Sequence, residues 1–329
     1  MTFKYDKVYL NETYTVVGPY EDKGPLGKYF DNSYEDLYCE ADSWEKAETK
    51  LLEESMKKAL RKNKLTKENI DLVISGDLLN QVTSSCYAAS KINKPFLGIY
   101  SACASNVEGL IIGSNFINSG IINNCLCGTS SHNMSSEKQF RNPTEYGAPK
   151  PETATFTATG GASAVISNKK SNIKIESATI GRIVDYNQKD ALNMGAVMAC
   201  AADTLKRHLD DLNRKEDYYD LILTGDLGLY GREILKEFMM KEHKINISCN
   251  YNDCGVMLYD LEEQKEVLAG GSGPVCSALV LYGFILNEMK KKNIKKVLLI
   301  ATGALFSPTM LYQKENILSI AHAISLEAI

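Results

Sequence analysis

A nine-residue string occurs twice in this chain, and nothing else in the sequence limits the fold so tightly. Ile70-Asp-Leu-Val-Ile-Ser-Gly-Asp-Leu78 reads almost residue for residue as Tyr219-Asp-Leu-Ile-Leu-Thr-Gly-Asp-Leu227, an offset of 149 (225 − 76). The same offset lays Leu60, in the helical pattern before the first copy, onto Leu209 before the second. Each copy is a short apolar run closed by Gly-Asp, the form of a buried strand ending in a tight turn. A second match follows. Asn124–Cys127 ends in Gly128-Thr-Ser-Ser, and Val297–Ala301 ends in Thr302-Gly-Ala-Leu-Phe-Ser307, an offset of 175 (303 − 128). Helical patterns alternate with these strands, so the chain reads as α/β with a mainly parallel sheet, built as two tandem halves. The halves are residues 1–170 and 171–329, divided at the polar stretch Asn168-Lys-Lys-Ser-Asn172.

Before the first copy, Trp44, Ala47, Leu51, Met56, Ala59 and Leu60 recur at the helical period, with Asp42 as the expected cap and Glu45 reaching back to it. The first 42 residues carry turn signals and tyrosines without periodicity and read as short strands and ordered loops. The charge balance, 37 Lys+Arg against 41 Asp+Glu, gives −4 and offers no surface for a nucleic acid. Apolar runs such as Ala278–Leu286 and Val297–Phe306 stop well short of the roughly 20 residues a membrane span needs. Met1–Lys7 has no apolar stretch of the signal-peptide kind. Nine scattered cysteines fit reduced thiols better than a disulfide framework.

Among them Cys103 stands apart. It follows the apolar run Phe96–Tyr100, lies in Ser101-Ala-Cys-Ala-Ser105, and precedes a helical face of Val107, Leu110, Ile111 and Ile117. Strand, tight turn and helix with small neighbours is the layout of a nucleophile elbow. The N–H groups of a helix N-terminus favour a thiolate there, so a lowered thiol pKa is expected if Cys103 is reactive. Small residues that merely permit close packing give the same string.

This elbow, set in a duplicated α/β chain, resembles the thiolase-like superfamily, whose two related halves form five αβαβα layers. Longer strings resemble the stage V sporulation protein AD family within it. They include Gly24-Pro-Leu-Gly27, Gly76-Asp-Leu-Leu-Asn-Gln81, Ser130-Ser-His-Asn133, Gln139-Phe-Arg-Asn-Pro-Thr-Glu-Tyr-Gly147, Asn252-Asp-Cys-Gly255 and Ala301-Thr-Gly-Ala-Leu-Phe-Ser-Pro-Thr309. That resemblance implies binding of dipicolinic acid, as its calcium chelate, for uptake into the developing spore. It also implies work at the inner spore membrane beside integral membrane proteins of the same system, and a homodimer. Calcium would arrive with the ligand; no resident cofactor is implied.

The superfamily's condensing members draw a base and an oxyanion donor from the second half. Here the turn Thr224-Gly-Asp226-Leu has no histidine, and Gly271 stands where an asparagine is expected, so the resemblance implies binding without catalysis. The expected ligand-binding residues are Asp77 and Asn80 past a strand end, Cys103, His132 after the second glycine turn, and Arg141 as a carboxylate fork. Asp77 facing a chelated calcium is chemically sensible; an Asp tying its own turn is the alternative, and its recurrence as Asp226 favours that. His132 either reaches toward Cys103 or braces a loop. His208 and His243, amid charges, are expected in solvent, and His322 in the core. Thr153, Thr155, Thr157 and Thr159 read as one face of a strand, and Lys290–Lys292 with Lys295 and Lys296 as a solvated helix end. Cys125 with Cys127 lacks a second pair for zinc, and no phosphate-loop motif occurs. Two other functions remain open: an acyl-transfer or condensing enzyme with Cys103 as nucleophile and His132 or His322 as base, and a scaffold for membrane partners.

Overall fold

Both runs that close on Gly-Asp become strands, Leu72–Gly76 and Leu221–Thr224. The computed structural model describes residues 1–141, 150–190 and 197–329, with one sheet of 12 strands among them. Leu72–Gly76 lies between Phe96–Gly98 and Asn124–Ser131, all parallel. Leu221–Thr224 lies between Tyr251–Asp253 and Lys296–Leu305, also parallel. In each half an antiparallel strand follows, Gly160–Ser167 in the first and Leu318–Ala328 in the second. Each of these pairs antiparallel with the strand that opens its half, Tyr9–Val17 or Ile173–Thr179. Numbered by chain order within its half, each set of five therefore crosses the sheet as third, second, fourth, fifth, first. The two sets join where Tyr9 and Leu10 meet Lys174 and Ile173. The stretch before residue 42, read as loops and short strands, thus supplies a nine-residue strand at the centre of the sheet.

Strand residues alternate between two faces, and here both faces are covered, which is why the runs are apolar throughout. Val73 joins Leu51, Leu52 and Met56 of the helix Trp44–Lys62 in one outer cluster. Ile222, Leu298 and Ile300 join Leu205 and Leu209 of the helix Val197–Leu212 in the other. The next residues along, Ile74, Leu223 and Leu299, face a middle layer instead. That layer is the elbow helix Ser105–Asn118 and the helical stretch beginning Pro274–Leu279, which contribute Val107, Leu110, Ile111, Val275 and Leu279. Helix, sheet, helix, sheet, helix is the resulting order, the five layers expected of the thiolase-like class. No helix among the described residues is long and apolar enough to cross a membrane.

Three local expectations need correction. Ser43, not Asp42, caps the first long helix: its hydroxyl accepts the Lys46 N–H at 3.3 Å, while Asp42 pairs with the Lys46 ammonium at 2.8 Å. His208 is fully buried. Its Nδ1 meets the Thr179 hydroxyl and its Nε2 the Tyr219 hydroxyl, each at 2.7 Å. Burial, and then the Arg214 charge, push its pKa down to about 3. Thr155, Thr157 and Thr159 are buried as expected of one face, but only Phe156–Thr157 forms a strand, paired with Gly271–Ser272.

Candidate functional site

Tyr100 to Ser105 turns sharply between the strand Phe96–Gly98 and the elbow helix. Ala102 takes a left-handed φ of 48°, unusual for a residue with a Cβ. The Ser105 hydroxyl holds the turn, accepting from the Ser101 N–H at 3.0 Å and donating to the Ala102 carbonyl at 2.8 Å. From the other half, Gly303 presses on the elbow: a Cβ there would stand 2.2 Å from the Ser101 carbonyl oxygen. This close approach brings both halves to Cys103.

The thiol lines a narrow cavity of about 60 Å³ that opens to solvent on one side. The first half lines it with Leu78, Tyr100, Ala102, Cys103, Ser136, Glu137, Phe140 and Thr157. The second half adds Ser272, Ala304, Phe306 and Ile317. Glu137 is ion-paired with Lys150 at 2.9 Å. An outer cleft continues from the cavity along Asn80–Val82, Gly98, Ile99 and Ser307–Thr309, sharing Leu78, Tyr100, Phe140 and Phe306 with it.

Behind the thiol runs a short chain of polar groups. The Ser272 hydroxyl donates to Asp226 Oδ2 at 2.9 Å, and the Thr302 hydroxyl to Oδ1 at 2.6 Å. Cys103 Sγ is 3.7 Å from Ser272 Oγ. Ser272 spends its one proton on Asp226, and the thiol itself reaches the same carboxylate. Burial first, and then the Asp226 charge, hold the Cys103 pKa well above the usual thiol range. The lowered pKa expected at a helix N-terminus is therefore reversed. Burial likewise raises the Asp226 carboxyl.

The other sequence-derived candidates separate. Asp77 is fully buried, with Oδ1 taken by the Leu79 N–H at 2.9 Å and Oδ2 by the Ser85 N–H at 2.7 Å. It ties its own turn and is not among the residues lining the cavity. Asn80 borders the outer cleft. His132 is buried: Nδ1 accepts the Met134 N–H at 3.2 Å, which leaves Nε2–H to donate to the Leu37 carbonyl at 2.7 Å. With both ring nitrogens engaged, it braces a loop away from Cys103. His322 sits in the strand Leu318–Ala328 and accepts the Gly181 N–H at 3.1 Å; burial lowers its pKa to about 4. Arg141 ends the turn Glu137–Arg141, and its side chain lies outside the described residues, as does the segment 142–149.

Asp226, Ser272 and Thr302 were the residues that sequence reasoning passed over. For Asp226 the signal was present in the repeat itself, which sets Gly225-Asp226 at a strand end as it does Gly76-Asp77.

A model of the family described as stage V sporulation protein AD (SpoVAD) matches residues 1–327. The chain belongs to that family. It is 45% identical over 321 residues to stage V sporulation protein AD of Bacillus subtilis (strain 168), covering 97% of this chain and 94% of the relative. Among solved structures, 3-oxoacyl-[acyl-carrier-protein] synthase III of Aquifex aeolicus VF5 superposes with a TM-score of 0.57 at 13% identity, covering 97% of this chain and 99% of that one. OleA of Xanthomonas campestris superposes with a TM-score of 0.64 at 12% identity, covering 98% of this chain and 97% of that one. These likenesses show the thiolase-like fold expected of the family.

Proposed function

We propose that this chain binds dipicolinate together with its calcium ion, without catalysis, for loading into the developing spore. The observation that carries the reading is the cavity at Cys103. It is lined by three aromatic rings, Tyr100, Phe140 and Phe306, and no histidine is among its lining residues. A flat pyridine ring suits such walls. Burial and the Asp226 charge keep Cys103 protonated, so it serves as a small polar wall.

Charge favours the chelate over the bare dianion. Asp226 lies just behind Ser272, and Glu137 lines the cavity with its charge met by Lys150 from outside the lining, which includes neither Lys nor Arg among the described residues. A dicarboxylate entering alone meets the Asp226 carboxylate; a bound Ca²⁺ offsets that charge and can take a carboxylate oxygen of Glu137 in exchange for Lys150. No described cluster of three or more His, Cys, Asp or Glu could hold a metal, and in this reading calcium is cargo that travels with the ligand. Action at the inner spore membrane beside integral partners belongs to the same proposal. So does a homodimer, for which the open edge strand Phe96–Gly98, with Leu97 and Tyr87 exposed, is the face on offer. Thermal melting tests the binding: calcium dipicolinate raises the Tm of the wild type, and less so that of Tyr100→Ala. An unchanged wild-type Tm at saturating chelate would count against it.

The Cys103–Ser272–Asp226 chain favours one rival, an acyl-transfer enzyme in which Asp226 takes the thiol proton through Ser272. That reading predicts a Cys103 peptide heavier by one acyl group after incubation with an acyl thioester.

A further inference from the structure

Gln139 joins the two walls of the passage to Cys103. Its Nε2 donates to the Leu78 carbonyl at 2.9 Å, and its Oε1 accepts the Asn80 N–H at 3.0 Å. One side chain of the helical turn Glu137–Arg141 thus satisfies two backbone groups of the loop 78–82. The neighbours of Gln139 in that turn, Glu137 and Phe140, both line the cavity.

The cavity and the outer cleft meet at Leu78, Tyr100, Phe140 and Phe306, the residues they share. Leu78 sits on the loop that Gln139 holds, and Phe140 directly follows Gln139. Phe306 comes from the other half of the molecule, and its ring lies against that of Phe140 with centroids 6.1 Å apart. The loop is also under tension. Gln81 and Val82 both have left-handed φ angles, 62° and 48°, and Val82 is β-branched, the kind of residue least suited to that conformation.

We infer that Gln139 is a latch, a positioning residue that keeps the Leu78–Phe140–Phe306 throat narrow in front of Cys103 by holding a strained loop against the Glu137–Arg141 turn. Breaking its two hydrogen bonds frees Leu78 and Phe140 to part, and ligand passage then follows the opening of the throat. This deepens the binding reading by assigning its access step. The latch itself requires only the cavity, whatever occupies it.

The test is alkylation of Cys103 by iodoacetamide in the full-length chain, followed by peptide mass spectrometry. Exposed Cys249, in the other half and away from the loop, serves as the internal reference, and buried Cys125 reports any unfolding. Gln139→Met keeps the length of the side chain and removes both hydrogen bonds. It is expected to speed Cys103 labelling about tenfold, on the usual worth of two such bonds, with Cys249 and Cys125 unchanged. Gln139→Glu keeps the acceptor for Asn80 and loses the donor to Leu78, so its rate falls between. Phe140→Ala opens the throat directly and labels at least as fast as Gln139→Met. A Gln139→Met rate within twofold of wild type, with Phe140→Ala fast, overturns the latch; both rates unchanged overturn the throat as well. A separate arm with calcium dipicolinate distinguishes the two readings. Failure of the chelate to protect Cys103 in any variant removes the ligand assignment and leaves the latch result standing.

Discussion

Cys103 begins a helix, the place where a thiol is ordinarily activated, yet burial and the nearby Asp226 carboxylate hold its pKa above the usual range. Its alkylation rate should therefore keep climbing with pH through pH 9 without a plateau. Asp226→Asn removes the opposing charge, which lowers the thiol pKa and brings the plateau to lower pH. A wild-type plateau below pH 9 would contradict this account of the site. His208 offers a second test. Its folded pKa of about 3 lies below the ordinary 6.5, so its contribution is intact above pH 6.5 and is lost as pH falls toward 3. In His208→Gln, the fall in the urea midpoint between pH 7 and pH 4 should be shallower than in the wild type; an equal fall would show that other groups carry it. The burial of His208 was legible in the spacing Leu205, His208, Leu209, Leu212, one inward face of a helix. The charges of Lys206, Arg207, Asp210 and Asp211 hid that face from a reading by composition. Cys103 was legible from its small neighbours, whereas the direction of its pKa depended on groups far away in sequence.

On the helix Trp44–Lys62, Glu48 is fully buried and accepts from the Ser130 hydroxyl at 3.2 Å and the Ser135 hydroxyl at 2.8 Å. It ties that helix to the strand Asn124–Ser131 and to the short turn leading into Glu137. Burial, and then Asp77, raise its pKa to about 8. A folded pKa above the unfolded value means that its contribution is complete below about pH 4.5 and lost as pH rises through 8. Glu48→Gln stays neutral, so its Tm advantage over wild type should grow from pH 5 to pH 9, reaching roughly 1–3 °C or more. A constant difference would mean that Glu48 does not titrate there. The same helix buries Leu51 completely, and Leu51→Ala should cost about 2–5 kcal/mol in denaturant unfolding. The existence of this helix was plain from its period, but its cap was misread because Asp42 and Ser43 are both good capping residues. Strand ends were also short of the mark: Asn124–Ser131 and Lys296–Leu305 continue through the glycines that looked like their ends.

Across the whole molecule the duplication, readable from one repeated string, explains why the strand order recurs, whereas the five layers were expected only from the resemblance that the Cys103 elbow carries. The way the halves face each other was not legible. Gly128 and Gly303 match in sequence, yet Gly128 packs under Met56 of an outer helix while Gly303 abuts the Cys103 elbow. Asp77 and Asp226 likewise match, and only Asp226 stands behind the thiol. Sequence symmetry gives both members of a pair one role, whereas packing in the middle layer gives them different ones. Gly303→Ala should leave the circular dichroism spectrum unchanged while displacing the elbow and abolishing ligand-induced stabilisation; retained stabilisation would show that the contact is slack. The central claim, a site assembled by both halves for calcium dipicolinate, is tested most directly by calorimetric titration of the full chain with dipicolinate, with and without Ca²⁺. The account predicts saturable binding of one ligand per chain, at least about tenfold tighter with Ca²⁺ and weakened in Phe306→Ala. Folded wild-type protein that gives no heat at millimolar chelate would contradict it.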